Sequence, residues 1–493
     1  MKGYIKSCRA AKPVRKQLNI SSFEGVSLNV IESLLPIKYS PLSYNFRFYN
    51  GALSTGMGIE QARLPVTYDT QVYHLAPRMT SKILGLWLYR RYDKVNGCRD
   101  DRIIIKVEDG KFYETKFFSQ DTCNELHGVT TSGKVNTANY RLDGEDVLLI
   151  SSEYGGLWIY DGVNAPYKVE NSPEITSMCI HYERLFATTG GEKNQIWFSD
   201  DFNPTNWNIS MTEGGFIELQ DEGGRANKVI SFLDHIYIFR DYGINRLTAY
   251  GDQSDFCLTK LFVTSGRIYP DTVAAGGDRV FFLAEDGIYA FDGVSAKRIL
   301  DNISPLIENR EYATACFYDG KYYLALRGNY KDNLKICSEK EILWRNNTVL
   351  EFDINTLALN ILRGADINCF LPISINNSSI LLLSMRKTKS CDIGMLNYSG
   401  KFFDSSLPKY WRTGLLDLGH KGGKVLREIY INSLYDITAG IITDEGYSEY
   451  TLQGSPKVQK IRVNEKSDKF SFYLKSGLDK AEIVNPVLTV DYL

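Results

Sequence analysis

The sequence is short of several things that would have declared a function early. No apolar run reaches the roughly 18 residues of a membrane span, and Met1 to Arg15 has no apolar signal-peptide core, so the expectation is a soluble, unsecreted chain. Lys and Arg number 57 against 59 Asp and Glu, a formal charge of −2, so no bulk basicity marks a nucleic-acid binder. The nine cysteines are scattered, odd in number and free of any CxxC pair, which argues for free thiols in a reducing compartment rather than a disulfide framework. The five histidines (His74, His127, His181, His235, His420) stand singly, with no i,i+4 pair. A lone histidine in a strand is more often a packed or rim residue than a ligand. HExxH, GxSxG and Walker motifs are all missing. The reading is therefore of a non-enzyme with no cofactor, no metal site and no catalytic residues.

What is present is aromatic and turn-rich. Aromatics make up 13% of the 493 residues, with 32 Tyr and 24 Phe beside 40 Gly, a composition of strands and tight turns. Length alone suggests about three domains, although radial repetition lets a propeller run to roughly 300 residues as one. The best-marked stretch is QIWFSDDFNPTNW, Gln195 to Trp207. Ile196 and Phe198 alternate as in a strand. Ser199-Asp200-Asp201 can then bond its own backbone, and Asn203-Pro204 sets a turn that ends at Trp207. This is a capped hairpin corner.

Related units surround it. LWIYDG (Leu157–Gly162), GIYAFDG (Gly287–Gly293) and CFYDGKYYLAL (Cys316–Leu326) each run an aromatic strand into Asp-Gly, and YIFRDYGINRL (Tyr237–Leu247) is a degenerate member. Unit starts fall near Leu84, Asp146, Ile175, Val229, Thr272, Ala313 and Leu350, a spacing close to the 40–50 residues or so of a four-stranded blade. The expected fold is all-β: a six- or seven-bladed β-propeller over residues 81–405. The blade markers are Trp158, Asp161, Gly162, Trp197, Ser199, Asp201, Trp207, Asp292, Gly293, Asp319 and Gly320. Each Asp-Gly pair is read as a type I′ turn in preference to a metal ligand or general acid. From residue 406 the strands lengthen and alternate, as in Phe470, Phe472, Leu474 and Leu488, Val490, Tyr492, behind a glycine-rich loop at Gly419–Gly423. That predicts a C-terminal β-sandwich over 406–493, which also takes in strands from an N-terminal segment, 19–80. Residues 1–18 form a basic arm whose Lys2, Lys6, Arg9, Lys12, Arg15 and Lys16 read either as a solvated tail or as a contact for DNA or an acidic partner.

Two resemblances follow from these words. Ser199 to Trp207 is similar to the Asp-box of sialidase-like propellers, Ser-x-Asp-x-Gly-x-x-Trp, with Asn203 in place of the Gly and one extra residue before the Trp. In that family the box is a hairpin cap away from the active site. The opening F-x-G-V (Phe23–Val26) and YNGALSTGMGI (Tyr49–Ile59), the Trp411–Gly414 and Lys424–Ile431 segments, and the ending AEIVNPVLTVDY (Ala481–Tyr492) resemble β-propeller tail nozzle, or packaged-DNA stabilisation, proteins of short-tailed phages. Where that family ends its first phrase in Arg-Pro-Gly, this chain has Thr55-Gly56-Met57-Gly58.

The resemblance implies a structural virion protein, made in the host bacterial cytoplasm and located in the tail. It implies a ring of copies, commonly six, below the portal and adaptor proteins. Double-stranded DNA would pass through the channel and be retained until ejection, with fibre, spike or needle proteins attached outside. A near-neutral chain suits a conduit along which DNA slides. The alternative is a glycan-binding or glycan-cleaving propeller acting as a tail receptor-binding protein, with GYSEYTLQG (Gly446–Gly454) as one aromatic and polar loop. A cellular WD-type scaffold is disfavoured by the lack of Gly-His … Trp-Asp words and by unequal units.

Overall fold

The computed structural model describes residues 14–492 apart from 69–70, 75–78, 117–122, 192–193, 211–212, 333–334, 337–338, 376–377, 388–389 and 419–421. Lys2, Lys6, Arg9 and Lys12 lie outside the described residues, as does the start of the Gly419–Gly423 loop. The chain separates into two compact units. One comprises Ile59–Leu357 and Arg363–Asn397; the other comprises Met1–Gly58, Ala358–Leu362 and Tyr398–Leu493.

The first unit is a seven-bladed β-propeller. Its inner strands are Ile83–Tyr89, Val135–Leu142, Ile175–His181, Ala226–Phe232, Ile268–Gly276, Ile307–Tyr318 and Asp366–Ile375, opening blades 1 to 7 in chain order. Each touches the next, and the seventh touches the first, so the inner strands close a ring. Blades 1 to 5 are four-stranded antiparallel meanders. In blade 7 the strands Asp366–Ile375, Ser378–Lys387 and Ser390–Asn397 are completed by Gly58–Gln61, which comes from before blade 1. The last blade is thus closed by the first strand of the unit. Closure gives every blade a packed neighbour on both sides and leaves only the short outer edges of the sheets, and its apolar content is concrete: Ile83, Leu86, Ile103 and Ile105 of blade 1 pack with Ile373, Leu382 and Ile393 of blade 7.

Blade-to-blade packing explains the aromatic weight of the sequence. Trp207, 3% exposed, sits with Leu149, Leu157 and Ile159 of blade 2 and Met178, Leu185 and Ala187 of blade 3, its Nε1 donating to Pro204 O at 2.9 Å. The corner that delivers it is built as its residues dictate. Asp201 N donates to Asp200 Oδ1, Thr205 N donates to Asn203 Oδ1, and Ser199 Oγ accepts from Leu185 N.

Two sequence expectations are corrected. Of the three Asp-Gly pairs, only Asp319-Gly320 is a two-residue type I′ turn, with φ of 48° and 72° between the paired Tyr318 and Lys321. Asp161 and Asp292 instead cap longer turns. The Oδ1 of Asp161 accepts from Val163 N and Asn164 N, and that of Asp292 from Val294 N and Ser295 N. Asp93 and Asp353 do the same for Val95–Asn96 and Asn355–Thr356. The recurrent word is an Asp that holds the two amides beyond its neighbour. The blade starts also shift. Asp146 lies in the second strand of blade 2, and Leu350 in the third strand of blade 6, so blade 7 opens at Asp366.

The second unit is a β-sandwich formed from both ends of the chain. One sheet runs Ser455–Ser467, Lys424–Ser433, Glu482–Tyr492, Ala52–Thr55, Phe46–Tyr49, with Val14–Asn19 also paired to Glu482–Tyr492. The other runs Leu42–Tyr44, Lys409–Arg412, Ser471–Ser476, Ile437–Thr443, Gly446–Leu452. Alternation buries Phe46, Ile429, Leu488 and Val490 on one inner face and Trp411, Ile441, Phe472 and Leu474 on the other. The Asn50-Gly51 turn has both residues at positive φ, 49° and 75°, as a two-residue hairpin requires.

Candidate functional site

The inner strands of the propeller enclose an axial channel, and this is where the described chemistry converges. It contains two cavities of about 420 and 400 Å³. Together they draw lining residues from all seven blades, and Lys134, Asp271 and Glu311 border both.

Bulges in two adjacent inner strands shape the channel wall. In blade 5, Tyr269 pairs with Leu283 and Ala274 with Phe281, so Pro270, Asp271, Thr272 and Val273 stand opposite Phe282 alone. Proline has no amide to give a ladder and fits such a bulge. Thr272 replaces the missing backbone partner: its Oγ1 donates to Tyr269 O at 2.6 Å and accepts from Leu283 N at 2.9 Å. In blade 6 the pairing jumps from Asn309–Arg327 to Thr314–Ala325, and Asn309 Oδ1 accepts from Glu311 N at 2.8 Å. Asn346, 3% exposed, donates from Nδ2 to Tyr312 O and Ile367 O. These bulges carry Asp271, Glu311 and Tyr312 to the cavities. That is a usual way for a sheet to re-aim side chains at a site.

The charge in the channel is lopsided. Among the described residues, seven basic ones line the two cavities, against three acidic ones, Glu153, Asp271 and Glu311. Some of the basic groups are already engaged. Lys134 of blade 2 reaches across to Asp271 of blade 5 at 3.2 Å. Lys106 donates to Gly133 O at 2.9 Å, and burial pulls its pKa down. Arg267 approaches Asp241 at 3.5 Å, and the Arg345 guanidinium lies over the Tyr312 ring at 4.4 Å. Lys228 differs. Burial in the channel pulls its pKa down, Asp271 partly opposes that and Lys134 adds to it, yet no hydrogen bond or ion pair holds its ammonium among the described residues. Beside the same cavity, the Nδ2 of Asn368 is buried without an acceptor among the described residues.

Of the sequence-predicted blade markers and the described basic residues Arg15 and Lys16, none is among the residues that line this channel, although the expected unit starts Leu84 and Ala313 are. Trp158 and Trp197 are half-buried in blades 2 and 3, Trp197 against Phe216 at 5.2 Å. Asp201 pairs with Arg184 at the hairpin corner, and Gly162, Gly293 and Gly320 occupy turns at positive φ. In the sandwich, Arg15 binds Asp491 at 2.8 Å and Lys16 lies over the Tyr492 ring at 5.0 Å. The sequence did carry a signal for the channel: a lysine inside the apolar strand ANKVISF and Pro-Asp inside IYPDTVAAG, both out of keeping with buried strands. Among the described residues no group of three or more His, Cys, Asp or Glu side chains is placed to hold a metal ion.

A second feature lies on the sandwich. Tyr44, Tyr410 and Tyr473 stack across neighbouring strands at successive centroid separations of 5.8 Å. Glu449 accepts from Tyr473 Oη at 2.7 Å and from Lys475 beside it. The groove next to them, about 630 Å³, is bordered by Tyr447, which is 74% exposed.

No protein-family model matches the chain, and no curated protein matches its sequence. Similar solved structures include BBS1N in crystals of its complex with ARL6DN. In the lead-soaked crystal it is 13% identical, with a TM-score of 0.43, covering 69% of this chain and 97% of that one. In the mercury-soaked crystal the identity is again 13% and the TM-score 0.42, covering 70% and 99%. At that identity and those scores, neither bears on what this chain binds.

Proposed function

We propose that this protein is a structural component of a phage tail, a nozzle or hub subunit that works by assembly and not by catalysis. The observation that supports the reading best is the discontinuous sandwich. Strands from residues 14–55 and 409–492 form one body, and the whole propeller is an insertion between them. Such a unit can join copies of itself while carrying the propeller as a rigid module, and the N-terminal and C-terminal segments with the nozzle-like words are the ones that build it. In this reading the sandwiches form the ring below the portal and adaptor, around the DNA path, and the propellers serve as attachment platforms. A head-to-tail ring suits a subunit with distinct faces. The test is co-sedimentation with portal-bearing particles that lack tails: saturable binding at a ring's worth of copies per particle supports the proposal, and a failure to bind refutes it.

A second reading has one observation in its favour. The tyrosine stack with Glu449 and exposed Tyr447 offers an aromatic platform beside a carboxylate, which suits the apolar face and hydroxyls of a sugar ring. Binding of host surface polysaccharide that is lost in Tyr447→Ala would favour a receptor-binding role.

A further inference from the structure

We propose that the axial channel of the propeller is a binding site for a small oxyanion carrying two or more negative charges, held by Lys228 and Lys134 with Asn368 as a neutral donor. Lys228 is half-buried at the cavity wall, and the usual resolution for a cation drawn partly out of water is pairing. Lys228 has no ion pair among the described residues, and Asp271, whose charge acts on it, is already bonded to Lys134. Both carboxylates at the larger cavity, Asp271 and Glu311, stand against five basic residues there. Asn368, at the cavity wall, adds an amide nitrogen that has no acceptor among the described residues. Two ammonium groups and an amide N–H, all donors, present the complement of phosphate or polycarboxylate oxygens. The cavity of about 420 Å³ falls in the range of small-ligand sites. In this arrangement Asp271 is a competitor: it occupies Lys134 when the channel is empty and is displaced by the incoming anion.

The test is isothermal titration of the full chain with pyrophosphate and, separately, citrate, at ionic strength held constant with sodium chloride. Saturable one-to-one binding of either supports the site, and the stronger of the two shows whether phosphate or carboxylate oxygens fit it. Lys228→Met should weaken binding at least about ten-fold, Lys228→Arg should retain it, and Asp271→Asn should tighten it by removing the competing carboxylate. Lys168→Gln, an exposed lysine on the outer strand of blade 2, should leave it unchanged. If Lys228→Met fails to fold, the gain in Asp271→Asn carries the test alone. No saturable heat for either anion up to about 10 mM, or affinities indifferent to Lys228 and Asp271, would overturn the proposal.

Discussion

Replacing Trp207 with alanine should destabilise the propeller by about 3–5 kcal/mol, the usual range for truncating a fully packed aromatic residue. The upper half of that range is expected here for two reasons. The indole is 3% exposed and lies between the sheets of blades 2 and 3, which are fixed by the closed ring and cannot collapse into the hole. Its Nε1 also satisfies Pro204 O, a bond whose loss adds about 1 kcal/mol. Trp207→Phe keeps most of the packing and should cost roughly half as much. Trp197→Ala, at a half-buried site where the ring lies tilted against Phe216, should cost about 1–2 kcal/mol. Urea unfolding followed by fluorescence reads the difference, because Trp87, Trp158 and Trp344 remain in the propeller in every variant. If Trp207→Ala costs less than about 1 kcal/mol, or no more than Trp197→Ala, then the hairpin corner does not lock the two blades and the argument from it fails.

Further predictions concern the buried charges. Arg363, fully buried, is bidentate to Glu341 at 2.9 and 2.7 Å, so Arg363→Met alone should cost about 3–5 kcal/mol by stranding the carboxylate. The Arg363→Met, Glu341→Leu double variant should cost clearly less than the two single changes added, as a double-mutant cycle in urea would show. Burial lowers the pKa of Lys409 to about 8, below the value of 10.5 it regains on unfolding. The unfolded chain therefore binds the extra proton between these values, and stability should rise by roughly 2–3 kcal/mol from pH 8 to pH 10. Lys409→Met should flatten that slope in thermal melts of the sandwich. Arg15 and then Arg427 hold the Asp491 carboxyl down at about 2. Its stabilisation should be complete above pH 3.8 and disappear as pH falls through 2. Asp491→Asn should remove that dependence, with a modest effect near neutrality because Arg15 is largely exposed.

Much of the fold could be read from local words, and the exceptions have physical causes. Aromatic strands ending at Asp-Gly, the Trp207 corner and the Asn50-Gly51 hairpin are short-range signals, and their residues mark where the chain turns. Asp161 and Asp292 were mistaken for type I′ positions because the turn type depends on how many residues precede the return strand. At Asp319 that strand starts at Lys321; after Asp292 it starts only at Ala296. The start of blade 2 lies earlier than expected because VNTANYRL alternates only weakly apolar residues, Ala138, Tyr140 and Leu142, with polar ones, and the strongly apolar run begins in the next strand at Val147. Blade 7 was placed too early because blade 6 makes a long excursion between Lys321–Gly328 and Thr348–Asp353. The channel itself was invisible for a different reason. Lys134, Lys228, Asp271 and Asn368 come from four blades, and only closure of the ring brings them to one axis.

The central claim, a ring-forming structural subunit, is tested most directly by the mass of the purified protein in solution, alone and mixed with portal-bearing particles, with negative-stain images of the products. The account predicts a closed ring of several copies, formed alone or on the particle, that caps the portal vertex. A chain that stays monomeric at 56.0 kDa, ignores the portal and binds or degrades a surface polysaccharide would contradict it.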